Sequence, residues 1–266
     1  VNTTRLQRLL DVNLGPPVID PTGRRIFSNP RPDPRFALIR SQQSSARSLY
    51  RAVTFSLNVR KSKFVFDTYY TLSTNYSDDD NERNFAGLQY SDPFNLRNDY
   101  NFSNIDQRHQ LTLNGLYSLP YGFEISATSR FTSATPFSAL VGSDLNRDTA
   151  INERPIINGR ELKRNTFRNF SFSDISLRLQ KGFVVPSERG RILFSIEMFN
   201  LLGFDNVQVA GANQVFGPGT IVQNGQLVQV APNINFRRLR DNNGRFLLNN
   251  SAGSPFQAQV GVRYIF

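Results

Sequence analysis

The chain has no cysteine, no tryptophan, and only one histidine, His109. Without cysteine there is no disulfide framework, no thiol chemistry and no thiolate metal site. No segment approaches the ~18 consecutive apolar residues of a membrane helix. The chain starts at Val1 with no basic, apolar leader. A secreted protein should have carried one, so processing or truncation is the expected reason. The net charge is +10, yet no basic cluster or nucleic-acid motif accompanies it, which argues against nucleic acid as a partner.

What is present is alternation. From Phe256 to Phe266 every second residue is apolar or aromatic: Phe256, Ala258, Val260, Val262, Tyr264, Phe266. Side chains alternate between the faces of a strand, so this segment has one apolar face and one polar face. Its eleven residues are close to the roughly 9–11 that cross a bilayer as a tilted strand. The same pattern predicts strands at about 47–60, 63–73, 108–119, 123–132, 173–181 and 191–200. Residues 1–45, rich in Arg and Pro, read as a long loop. Stretches at 75–106, at about 133–169 and at 203–254 read as long polar connections, Asp78-Asp79-Asp80 being a solvated tip. Lys61-Ser62, Pro120-Tyr121-Gly122 and a segment holding Pro186 and Gly190 are the shorter turns.

Short and long connections thus alternate, which is rare in compact soluble domains and regular in outer-membrane β-barrels. The fold class this implies is all-β: an antiparallel transmembrane β-barrel fragment, about seven strands in an open curved sheet with long extracellular loops. A soluble barrel such as a lipocalin shows the same alternation turned inside out. Charge separates the two. The apolar faces carry one charge, Arg51, whereas Arg60, Asp67, Glu124, Arg130, Asp174, Arg178, Glu197 and Arg263 fall on the opposite faces. Lysine or arginine facing lipid at mid-depth costs roughly 2–4 kcal/mol, so the clean faces point to lipid. Asp67, Arg130, Asp174, Arg178, Glu197 and Arg263 are therefore expected to face the lumen, where they would touch a plug or substrate or pair with one another. The surplus of basic residues suits outer-membrane lipid and lipopolysaccharide phosphates.

Local motifs then resemble one family. Ser48-Leu-Tyr-Arg-Ala-Val-Thr-Phe-Ser-Leu-Asn58 with Tyr69-Tyr-Thr-Leu-Ser73 looks like paired strands of TonB-dependent outer-membrane receptors of the Oar-like type. Asp106-Gln-Arg-His109 with Leu119-Pro-Tyr-Gly122 is similar to the next hairpin of that family. Ser133-Ala-Thr-Pro-Phe137, Asp144-Leu-Asn-Arg-Asp148, Asn152-Glu-Arg-Pro155 and Asn158-Gly-Arg160 resemble its following loop. Asp174-Ile-Ser-Leu-Arg-Leu-Gln-Lys181 and Glu197-Met-Phe-Asn-Leu-Leu202 complete the series. The resemblance implies a piece of an energised transporter that partners TonB through a plug domain not present here. It also implies that the final strand, with Val262, Tyr264 and Phe266, is the signal read by the outer-membrane insertion machinery. A passive porin-like or structural barrel is the alternative, and an outer-membrane enzyme the third reading.

Little points to catalysis or to a cofactor. Asp144, Asn146, Asp148 and Asn152 offer oxygen ligands in the manner of a calcium loop. Thr149 stands where such a loop needs glycine, and Pro155 where it needs a bidentate glutamate, so a solvated loop is favoured over a calcium site. His109 with Asp106 is a conceivable base and orienter, but parity puts His109 on the lipid side.

Overall fold

A computed structural model describes residues 1–27, 30–80, 90–185, 190–245 and 252–266. The main sheet runs antiparallel through eight strands in chain order: β1 (Asn2–Asp11), β2 (Arg40–Lys61), β3 (Phe64–Ser77), β4 (His109–Ser118), β5 (Phe123–Thr132), β6 (Phe172–Val185), β7 (Gly190–Phe199) and β8 (Gln257–Ile265). A two-residue strand, Asn101–Phe102, adds to the end of β3. The sheet is open, because β1 and β8 lie at opposite ends of the order and do not pair. Among the described residues no helix is long and apolar enough to cross a membrane, which leaves strands untested by that criterion.

The register sorts the side chains as the alternation requires. Phe55, Tyr70, Leu111 and Phe131 stand opposite one another across four strands. Three rows away, Asn58, Asp67, Asn114, Thr128 and Ser176 form a polar row. The apolar face is uncovered, with Val53, Phe55 and Leu57 more than half exposed. This face carries lysines as well as Arg51, a correction to the expectation of a single charge. Lys61 and Lys181 share it at the short-turn end, where Lys61 opposes Phe64 and Lys181 opposes Phe123 and Phe194. The Lys181 ammonium sits 4.1 Å from the Phe123 ring centre. Long stems let such heads reach the polar boundary while the methylenes cover apolar surface.

Two expectations about the start of the chain are corrected. Residues 1–45 are not all loop: Asn2–Asp11 is a strand, the eighth in the sheet. Its period-2 pattern is broken by register shifts on either side of Leu6, between Thr4 and Leu6 and between Leu6 and Gln7, with Arg5 at φ +62°. The next strand begins at Arg40, not near residue 47, and has 22 residues. Only about 9–11 are needed to cross a bilayer. Its first part, Arg40–Leu49, pairs with β1, and Ser48–Lys61 pairs with β3. Ser41, Gln42, Gln43, Ser44 and Ser45 are polar on both faces, which suits an extension outside the lipid and hides it from pattern reading.

The turn Lys61-Ser62 and the turn at Pro120–Gly122 lie at one end of the sheet. The Pro186 connector falls outside the described residues. At the other end the long connections fold into a packed layer. Among the described residues the buried hydrophobic side chains other than Leu10 and Ala46 lie here, including Phe27, Tyr90, Phe137, Ile156, Val209 and Phe216. Phe236 meets Phe167 and Phe216 edge-on at 5.1 and 5.0 Å. Small hairpins frame the layer. Ile156–Ile157 pairs with Arg160–Glu161 around Asn158-Gly159, and Thr220–Gln223 pairs with Gln226–Gln229 around Asn224-Gly225. All four turn residues have positive φ, the two-residue geometry that asparagine followed by glycine favours.

Candidate functional site

Charged side chains hold the loop layer together. Asp78 and Asp79 are buried and Asp80 is half-buried with its side chain covered, not a solvated tip, and each is taken by a partner elsewhere in the chain. Arg8 donates to Asp78 Oδ2 at 2.9 Å, and the Arg47 amide donates to its Oδ1 at 2.8 Å. The Tyr90 hydroxyl donates to Asp79 at 2.7 Å. Asp80 accepts from Ser103 Oγ at 2.7 Å and from the Asn104 amide at 2.9 Å, with Arg164 Nη1 3.6 Å away. Sequence reading misassigned this triplet because nothing local identifies Arg8 or Arg164 as partners.

At the centre is Arg154, whose side chain is 2% exposed. Its Nη1 donates to Asp99 at 2.6 Å, its Nε to the Leu162 carbonyl at 2.9 Å, and its Nη2 to Ser91 Oγ at 3.2 Å and Glu161 at 3.3 Å. Burial works against its charge, but the carboxylates of Glu161 and Asp99 outweigh burial and hold the guanidinium protonated. Burial also pushes the Asp99 carboxyl above the usual carboxylate range, with Arg154 opposing. Glu153 is raised by burial too, although it accepts from the amides of Asn146 at 3.0 Å and Leu145 at 2.6 Å.

The four calcium-loop candidates lie on this layer. Asp144 accepts from the amides of Arg147 at 2.6 Å and Thr149 at 3.1 Å. Asn146 donates to the Ser91 carbonyl at 2.9 Å and to Asp148 at 3.1 Å. Asp148 also accepts from the Ala150 amide at 2.7 Å, and burial pushes its pKa up to about 6. Asn152 donates to the Tyr90 carbonyl at 3.0 Å. The side-chain oxygens of Asp144, Asn146 and Asp148 thus serve turn amides and each other. Among the described residues no three His, Asp or Glu side chains are grouped to hold a metal ion. The pairing of His109 with Asp106 does not form either. Asp106 is buried against Arg168 at 2.6 Å, while His109 Nδ1 lies 2.8 Å from the Tyr70 hydroxyl on the apolar face.

Beside the Arg154 cluster is a cleft of about 500 Å³ whose walls include Arg24, Arg25, Asp92, Asn95, Arg160, Glu161 and Lys163. A second, of about 610 Å³, is amide-rich, with Asn104, Asn165, Asn169, Gln208 and Gln214 on its walls. Neither was legible as a site in the sequence. The one available signal was that Asn152-Glu-Arg-Pro155 and Asn158-Gly-Arg160, which bracket the first cleft, stood among the resembling motifs.

Residues 1–162 match the family described as the outer membrane beta barrel domain. The chain belongs to that family. No curated protein matches it. Among solved structures, the outer membrane transporter YddB from Escherichia coli is similar at 11% identity and a TM-score of 0.45, over 86% of this chain and 27% of that one. The chain therefore spans about a quarter of that chain's length.

As an outer-membrane barrel domain the protein resides in the bacterial outer membrane, and its uncovered apolar face has the character that contact with lipid requires. The six candidates for the opposite face are placed as follows. Asp67 lies between Asn58 and Asn114 in register, with Arg60 3.6 Å away. Arg178 faces Glu197 across β6 and β7 at 3.2 Å, and Glu197 accepts from Gln259 of β8 at 2.5 Å. Asp174 opposes Arg130 in register and accepts from Ser176 at 3.0 Å, while Arg130 lies over the Phe172 ring. Arg263 opposes Leu193 and is exposed. Val262 and Tyr264 of β8 and Phe266 just beyond its end are exposed, the last two with ring centres 6.0 Å apart. Tyr264 lies across Gly190, where an added Cβ would meet its hydroxyl at 2.6 Å and its ring at 2.7–2.8 Å.

Proposed function

We propose that the chain is part of a TonB-dependent outer-membrane receptor of the Oar-like type, which takes up a solute with energy delivered from TonB. The observation that carries the reading is the loop layer. The connections at one end of an open barrel sheet are locked by buried ion pairs into a fixed surface with clefts, rather than left as a rim around a pore. A preformed concave surface is what capture of a scarce solute needs. The ordered succession of motifs from Ser48 to Leu202 supports the TonB-dependent type. In this reading the layer is extracellular, the surplus basic residues meet lipopolysaccharide phosphates, and the last strand is read by the insertion machinery.

The test uses the protein purified from outer membranes. It should retain the periplasmic domain of TonB on an affinity resin and give no steady conductance in a planar bilayer. A passive barrel would do the reverse: a constant open conductance with no TonB retained.

A further inference from the structure

The charges lining the cleft beside Arg154 are not used evenly. Among the described residues its three lining carboxylates are each engaged. Asp92 pairs with Arg25 at 3.0 Å and accepts from the Phe94 amide at 2.9 Å. Glu153 holds the backbone turn at 145–146. Glu161 accepts from Ser91 at 2.5 Å, Asn98 at 3.1 Å and Arg154 at 3.3 Å. The basic side chains are a different matter. Arg24 is 7% exposed, its Nη1 reaches only the Arg154 carbonyl at 3.4 Å, and its Nη2 is shut off from water without an acceptor. Arg160 and Lys163 are exposed, and among the described residues their side chains have no hydrogen bond or ion pair. Asn95 accepts from the Arg97 amide through Oδ1, which leaves its Nδ2 as a further donor.

A cleft whose carboxylates are engaged, while Arg24, Asn95, Arg160 and Lys163 keep spare donors, is complementary to a ligand made of acceptors. We infer that it binds an anionic group, a carboxylate or a phosphate, held by Arg160 and Lys163 at the mouth, with Arg24 supplying positive charge from the inner wall. The cleft volume of about 500 Å³ accommodates a small polyanionic solute. The inference rests on the proposed capture function and names the chemical class captured. Phosphate chemistry has two sources at this surface, a free solute and the lipopolysaccharide headgroup.

The experiment is calorimetric titration of the detergent-solubilised protein with citrate, with pyrophosphate, and separately with lipopolysaccharide micelles. Arg160→Gln with Lys163→Gln removes the mouth donors without touching a buried pair, so folding should be kept. Saturable binding of citrate or pyrophosphate, weakened about tenfold or more in the double variant, supports the inference with a soluble ligand. Binding of lipopolysaccharide alone, weakened by the same variant, supports it with the headgroup as the source. No saturable binding, or binding that the double variant leaves unchanged, overturns it. The titration involves no TonB and no energy supply, so its failure leaves energised transport standing. Loss of TonB retention likewise leaves the anion site standing.

Discussion

Replacing Arg154 by leucine removes the centre of the loop layer. The guanidinium satisfies Asp99, Glu161, Ser91 and the Leu162 carbonyl, and both Arg154 and Asp99 are almost wholly buried, at 2% and 1% exposed. Breaking a buried ion pair from one side leaves an uncompensated charge and costs about 3–5 kcal/mol. Since about 1.4 kcal/mol is a factor of ten, the layer should open roughly a hundred- to a few thousand-fold more often. Native-state hydrogen exchange reads this directly. Amides around residues 96–102 and 145–164 should lose protection, while amides in the paired stretch of β5, β6 and β7 keep theirs, because those strands are joined by their own ladder. Adding Asp99→Asn to Arg154→Leu removes the orphaned charge and should return part of the protection. Unchanged exchange in Arg154→Leu, or an Asp99→Asn addition that makes the loss worse, would refute the view that the ion pair holds the loops together.

Three further outcomes are expected. Gly219 has φ +78° and a Cβ there would lie 2.3 Å from the Ile156 carbonyl oxygen, so Gly219→Ala should cost the layer about 1–3 kcal/mol in backbone strain alone, seen as a lowered melting temperature. Asp148 has a folded pKa of about 6 against an ordinary 3.8. It binds its proton more tightly when folded, so its contribution to stability is lost as pH rises from about 4 to 6, and Asp148→Asn should flatten that part of the stability–pH curve. Phe266→Asp should lower the amount of assembled protein in the outer membrane, with heat-modifiable gel mobility as the readout; unchanged levels would mean the end of β8 is an ordinary strand.

How much of this was legible in the sequence depended on lipid. Where a strand must present one face to hydrocarbon, alternation survives, and Phe55 and Leu57 or Val260 and Val262 mark their strands within a few residues. Outside the lipid that pressure is absent. The Ser41–Ser44 run pairs with β1 but shows no apolar period, and the bulge at Arg5 shifts the parity of β1 midway. The loop layer was hidden for a different reason. Its core is assembled from charges whose partners lie far apart: Arg8 with Asp78 is 70 residues distant, and Arg154 with Asp99 is 55. A run such as Asp78–Asp80 looks solvated until those partners are known. The Asn158-Gly159 and Asn224-Gly225 turns, by contrast, carried a readable hairpin signal that went unused.

The account depends most on the loop layer facing out of the cell and the short turns facing the periplasm. The absence of native cysteine makes single-cysteine labelling clean. Gln223→Cys and Thr166→Cys lie at exposed positions of the layer, and Ser62→Cys and Tyr121→Cys lie in the short turns. With a membrane-impermeant maleimide on intact cells, the first two should be labelled, and the last two only after the outer membrane is opened. Labelling of Ser62→Cys or Tyr121→Cys on intact cells, with Gln223→Cys and Thr166→Cys protected, would contradict the orientation and with it the capture of an external solute.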